Sequence, residues 1–177
     1  MNIWHDIDEE RIKENDFVGV IEISKGSKNK YELDKETGML VLDRVLHASM
    51  MYPTNYGFIP RTYGGDKDPL DVLVICSEPI VPMSLVRCFP IGVLYMTDGG
   101  EEDEKIIAIP AKDPHYNKVK DINELPEFLF EEIKHFFAFY KKLEKKETIV
   151  RELEGHEVAQ KVVKEAINNY KETFGKR

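Results

Sequence analysis

From residue 18 to residue 109 the chain passes through a series of short β-branched stretches, and no helix-length segment separates any two of them. A parallel βαβ layout needs a crossover of about a dozen residues or more between strands. That layout is excluded, and an antiparallel sheet closed into a small barrel is expected instead. The stretches are 18–23, 30–33, 39–46, 71–76, 85–96 (one long strand or two short ones, with Pro90 at an edge or bulge) and 105–109. Asp34-Lys35-Glu36-Thr37-Gly38 reads as a hairpin connection. Residues 49–65, rich in Tyr, Pro and Gly, show neither period and read as an ordered loop with short extended pieces.

The period changes late in the chain. After Pro126, apolar residues recur at Leu129, Ile133, Phe136, Phe137, Tyr140 and Leu143, which predicts one amphipathic helix. Val158, Val162, Ala166 and Tyr170 predict a second over about 157–170, between Gly155 and Gly175. Each apolar face should pack on the barrel or on another subunit. The class is mainly β with helices (α+β), and residues 1–177 suit a single domain.

Charge narrows the function. With 33 acids against 25 bases the net charge is -8, which disfavours non-specific nucleic-acid binding. No run approaches the ~20 apolar residues of a membrane span, and the N-terminus lacks the pattern of a signal peptide. Cys76 and Cys88 lie in apolar stretches and read as reduced core residues of a cytoplasmic protein, although a disulfide between them is geometrically feasible.

The strongest chemical feature is Gly64-Gly65-Asp66-Lys67-Asp68-Pro69-Leu70-Asp71, where a loop enters a strand. Three carboxylates within six residues suit a hard divalent cation such as Mg²⁺. A solvated polar turn is the competing reading, and the spacing fails as an EF-hand. A second cluster, Asp98 to Glu104, puts five carboxylates in seven residues and is expected to form another loop between strands. Most of its acids read as solvated surface, yet two acidic loops at strand ends can face one cleft. Lys30, Arg44 and Lys105 sit in or beside strands, where an edge position explains any one of them. Together with Glu22 and Glu32 they outline a polar pocket whose acids take metals and whose bases take phosphate oxygens. Tyr140 is most simply a core residue of the first helix, with Lys141 solvated beside it. The histidines show no zinc spacing, and neither G-x-S-x-G nor a Walker loop is present.

Three stretches in order then carry a resemblance: Glu22-Ile23 with Gly26-Ser27 and Lys30-Tyr31-Glu32; Tyr52-Pro53-x-x-Tyr56-Gly57-x-x-Pro60; and Asp66-x-Asp68-Pro69-Leu70-Asp71. With Asp98, Asp103, Lys105, His135-Phe136-Phe137 and Tyr140-Lys141, the chain closely resembles the barrel-type (family I) soluble inorganic pyrophosphatases of the short prokaryotic type. The resemblance implies a distorted, OB-like barrel of five strands flanked by two long helices. It implies Mg²⁺-dependent hydrolysis of pyrophosphate to two phosphates by a metal-activated water, without a covalent intermediate. Several Mg²⁺ ions per site are implied, with Mn²⁺ or Zn²⁺ as substitutes. Asp66, Asp71 and Asp103 match the tightest metal site, with Asp98, Glu32 and Glu22 at further ones. Asp68 matches the acid that positions or deprotonates the water. Lys30, Arg44, Lys105, Tyr140 and Lys141 match pyrophosphate ligands, with Tyr56 beside them. A cytoplasmic homohexamer is the implied assembly.

Two positions depart from the family pattern: Lys67 stands where a small residue, often Gly, is usual, and Gly99 stands where many members have Glu. Three rivals remain in view. They are a Mg²⁺-dependent phosphohydrolase of a nucleotide or other metabolite, an OB-like nucleic-acid module, and a structural metal-binding protein. The first lacks a visible aromatic slot for a base, and the second would need basic rather than acidic loops.

Overall fold

Residues 1–175 are described in the computed structural model of the chain, and within them the β-branched stretches form nine strands and the amphipathic ones two α-helices. In chain order these are β1 (Ile12–Lys13), β2 (Asp16–Ile23), β3 (Asn29–Leu33), β4 (Leu40–Val45), β5 (Asn55–Ile59), β6 (Leu70–Val74), β7 (Leu85–Asp98), β8 (Glu101–Pro110), α1 (Glu127–Phe139), β9 (Thr148–Gly155) and α2 (His156–Phe174). The main sheet runs β1-β2-β5-β6-β8-β7-β9, and β2 pairs with β7 as well as with β5. The strands β2, β5, β6, β8 and β7 therefore close into a ring of five, the expected barrel. Its pairings are antiparallel except β6 with β8, which run parallel with Asp71 opposite Lys105. The hairpin β3–β4 forms its own two-stranded sheet.

The apolar runs of β6 and β8 are buried on both faces, whereas Val41, Leu42 and Val45 of β4 are exposed. Val72, Val74, Ile106 and Ala108 pack with Val163 and Ala166 of α2, while Leu73 and Ile107 point the other way and pack with Phe136 and Phe137 of α1. Neighbouring residues in a strand face opposite sides, so two helices covering two faces turn alternation into a continuous apolar run. Cys76 and Cys88 are both free.

The structure corrects the sequence reading in several places. Residues 49–65 hold β5, a strand at the heart of the ring, and not only loop. Gly57 explains why its signal is weak: a Cβ there would lie 1.8 Å from the Val20 carbonyl oxygen, so close β2–β5 packing demands glycine. The acidic stretch after Asp98 is not a loop either. Strands β7 and β8 run through it, and only Gly99 and Gly100 turn, at φ +59° and +84°. Two consecutive positive φ values make the tight hairpin turn that matches strand twist, which accounts for Gly99. β7 is one long strand with a register shift between Pro90 and Gly92. Strand β9 went unread, and α1 stops at Phe139, leaving Leu143 67% exposed instead of on the apolar face.

Candidate active site

At the mouth of the ring lies a cavity of about 610 Å³, walled by residues from both sheets and from the segment after α1. β2 brings Glu22, β3 brings Lys30 and Glu32, β5 brings Tyr56, the turn into β6 brings Asp66 and Asp68, and β6 itself brings Asp71. β7 ends on Asp98, and β8 adds Asp103 and Lys105. Tyr140 and Lys141 complete the wall. Period-two alternation puts Asp103 and Lys105 on the cavity face of β8 and Glu102 and Glu104 on the other, while Glu101 shares the parity of Asp103 but lies exposed beside the Gly99-Gly100 turn.

Lys105 is the centre of this arrangement. It is 1% exposed, and its Nζ lies 3.0 Å from both Asp71 Oδ2 and Asp103 Oδ2. It also donates to the Tyr56 hydroxyl at 2.9 Å and sits over the rings of Tyr56 and Phe137. The parallel register that sets Asp71 against Lys105 creates the contact. Burial alone would lower the Lys105 pKa, but Asp103 and Asp71 hold it well above the ordinary lysine value. Burial pushes Asp71 up to about 7 against the pull of Lys105. Burial likewise raises Glu22 to about 8, although its Oε2 accepts the Leu33 N–H at 2.7 Å. Asp66 is raised too, by burial first and by Asp103 and Asp68 nearby.

The other lysines of the wall each take an acid: Lys30 pairs with Glu32, Lys35 with Asp68, and Lys141 with Asp98. Eight carboxylates share the wall with four lysines, so it is short of positive charge. Among the described residues no three His, Cys, Asp or Glu side chains are gathered as a ready metal cage. The donors nevertheless fit a hard divalent cation in kind: they are all carboxylate oxygens, they repel one another, and two of them already share one compact cation, the Lys105 ammonium.

Every residue anticipated for the site lies on this wall except Arg44. Arg44 faces Lys30 across the β3–β4 hairpin, but its guanidinium is taken by Asp43 and Glu144. Tyr140 caps α1 and Lys141 stands beyond its end, so Lys141 is drawn to Asp98 rather than solvated on a helix face. Tyr140 is buried as a core residue and lines the cavity as well. Lys67 has φ +66°, a left-handed conformation that suits the glycine usual at that position. Sequence reasoning missed Lys35: it sits in a hairpin turn, where charge is ordinary, and only the folded hairpin brings it to Asp68.

A family model described as inorganic pyrophosphatase matches residues 19–171. Soluble inorganic pyrophosphatase 2 of Chlamydomonas reinhardtii is 51% identical over 171 residues, covering 97% of this chain and 89% of its own length. Soluble inorganic pyrophosphatase 1 of Arabidopsis thaliana is 46% identical over 96% of this chain and 80% of its own. Among solved structures, the Helicobacter pylori inorganic pyrophosphatase superposes with a TM-score of 0.87 at 46% identity, over 90% of this chain and 95% of that one. The Thermus thermophilus inorganic pyrophosphatase gives 0.90 at 36% identity, over 97% and 99%.

Proposed function

The chain belongs to the inorganic pyrophosphatase family, and from that premise we propose that it hydrolyses pyrophosphate to two phosphates in the cavity at the barrel mouth. The observation that carries this reading is the convergence on one wall of buried or half-buried lysines, three tyrosines and a surplus of carboxylates. Pyrophosphate is small and highly anionic, and lysines alone cannot offset it beside eight acids. Asp66, Asp71 and Asp103 would hold Mg²⁺, with Asp98, Glu32 and Glu22 at further positions. When bound, Mg²⁺ supplies the missing positive charge and makes water more acidic.

The chain's own groups do the rest. Lys30, Lys105 and Lys141, joined by Arg44, bind the phosphoryl oxygens, and Tyr56 and Tyr140 donate hydroxyl hydrogen bonds to them. These contacts count most where charge grows in the transition state. Asp68 is half-exposed, and among the described residues its carboxylate is paired with Lys35 alone, so it is free to orient a water and accept its proton. The water oxygen forms the new bond to phosphorus, the bridging P–O bond breaks, and the second phosphate leaves with the electron pair. We read the chain as one domain, supported by both helices packing on one sheet system, and as a cytoplasmic homohexamer. No helix among the described residues is long and apolar enough to cross a membrane.

The test is phosphate release from pyrophosphate, ATP and a phosphomonoester. Turnover of pyrophosphate with little cleavage of the other two is expected. Equal cleavage of ATP would support the nucleotide phosphohydrolase instead.

A further inference from the structure

Trp4 is the one tryptophan of the chain, and it lies buried in the segment before β1. Its indole N–H donates to the Thr62 carbonyl at 2.9 Å, and its own carbonyl accepts the Arg61 N–H at 2.9 Å. Thr62 Oγ1 in turn accepts the Leu70 N–H at 2.9 Å, which closes the stretch 62–70 that carries Asp66 and Asp68. Tyr63 and Phe174 pack on the indole. Trp4 is therefore fixed to the base of the acidic turn.

The same segment reaches the turn between β3 and β4. Asn2 Nδ2 donates to the Lys35 carbonyl at 3.1 Å, and a Cβ on Gly38 would lie 2.6 Å from the Met1 carbonyl oxygen. Lys35 Nζ sits over the Trp4 ring, 5.2 Å from its centre, and donates to Asp68 Oδ1. Lys35 is thus held at both ends, and both members of the pair hang on one buried residue. Such a pair, half-exposed on both sides, contributes little to stability. Its place gives it another use. Lys35 and Asp68 both line the cavity, and among the described residues Lys35 is the one cation paired with the Asp68 carboxylate.

We propose that Lys35, seated on Trp4, is the positioning residue for Asp68: it holds Oδ1 and leaves Oδ2 to the attacking water. The proposal rests on the reading of Asp68 as the acid that orients that water and accepts its proton. A carboxylate has acceptor sites on both oxygens, so one can be held while the other works. An acid ordered before the water arrives has less freedom to lose on the way to the transition state. Without Lys35 the half-exposed side chain must be ordered during the reaction itself. The loss then falls on the chemical step more than on substrate binding.

A double-mutant cycle tests it, with Mg²⁺ present and pyrophosphate as the substrate. Lys35→Met should lower kcat on the order of tenfold with KM changed by only a few-fold, within the range of couplings between contacting residues. In an Asp68→Asn background the same substitution should lower kcat no further. Equal losses from Lys35→Met in both backgrounds overturn the proposal. So does a rise in KM with kcat unchanged, which would make Lys35 a substrate ligand instead. Without metal or substrate, Lys35→Met should also change the fluorescence intensity of Trp4, because the ammonium leaves its ring. Unchanged emission removes the seat and overturns the proposal as well. Should Lys35→Met fail to fold, Lys35→Gln carries the same measurements with the same expectations. If Asp68→Asn itself leaves kcat unchanged, the reading of Asp68 falls and takes this inference with it. If Asp68→Asn is impaired and Lys35→Met is not, this inference alone falls.

Discussion

Lys105→Met removes a buried cation while keeping most of its apolar stem against Tyr56 and Phe137. In the wild-type chain that cation lies 3.0 Å from two carboxylates. Breaking a buried pair by deleting one partner costs about 3–5 kcal/mol, because the charge left behind has no compensation. For a chain of this size each kcal/mol moves Tm by about 2–4 °C, so Tm should fall by about 6–20 °C in the presence of a chelator at pH 8. The loss should shrink at low pH. Asp71 has its folded pKa raised to about 7 even with Lys105 present, against about 3.9 unfolded. Between those values the folded state binds the extra proton, so stability is greater on the acid side and is lost as pH rises through the folded pKa. If Mg²⁺ is the cation the carboxylates hold in the folded state, as proposed, it should stabilise the variant more than the wild type, since it supplies the charge the variant lacks. The assay is thermal unfolding of both chains by circular dichroism at pH 5.5 and pH 8, with chelator and with Mg²⁺. A variant within about 2 °C of wild type in chelator at pH 8, or an equal response to Mg²⁺ in both chains, would refute the view of Lys105 as the counter-charge of the acid pair.

Three further substitutions probe separate steps. Asp68→Asn should lower kcat by about 10²-fold or more while the circular dichroism spectrum stays unchanged, because the residue is half-exposed and its proposed role is to accept a proton. Gly57→Ala should cost about 3 kcal/mol, read as denaturant midpoint, since its methyl meets the Val20 carbonyl across β2 and β5. Lys67→Gly should raise stability by up to about 1 kcal/mol, relief of the left-handed strain outweighing the added freedom of the unfolded chain; a lower Tm in that variant would place a compensating contact on Lys67.

The barrel and most of its site were legible because they rest on short-range chemistry. An Asp-rich turn feeding a β-branched strand names both Asp71 and β6, and two-residue alternation then carries Asp103 and Lys105 to one side of β8. What escaped depended on distant partners. β5 hides in a Tyr-Pro-Gly stretch because Gly57 answers to Val20, a contact between strands far apart in sequence. β9 pairs with β7, and its run Ile149-Val150-Arg151-Glu152-Leu153-Glu154 breaks the two-residue alternation, so it does not stand out from a charged loop. The acids after Asp98 look like a loop because charge density says nothing of pairing across a two-glycine turn. Arg44 shows how far residue type and strand position reach. Its residue type and strand position suggested the cavity, but orientation was decided by Glu144, one hundred residues later.

In the proposed function the acidic cavity accepts a polyanion only once divalent cations correct its charge. Phosphate release from pyrophosphate by the chelator-treated chain, followed during titration with Mg²⁺, addresses that claim most directly. No turnover is expected before Mg²⁺ is added, and full recovery as it is restored. Turnover that persists in excess chelator, or none at any Mg²⁺ concentration, would contradict it.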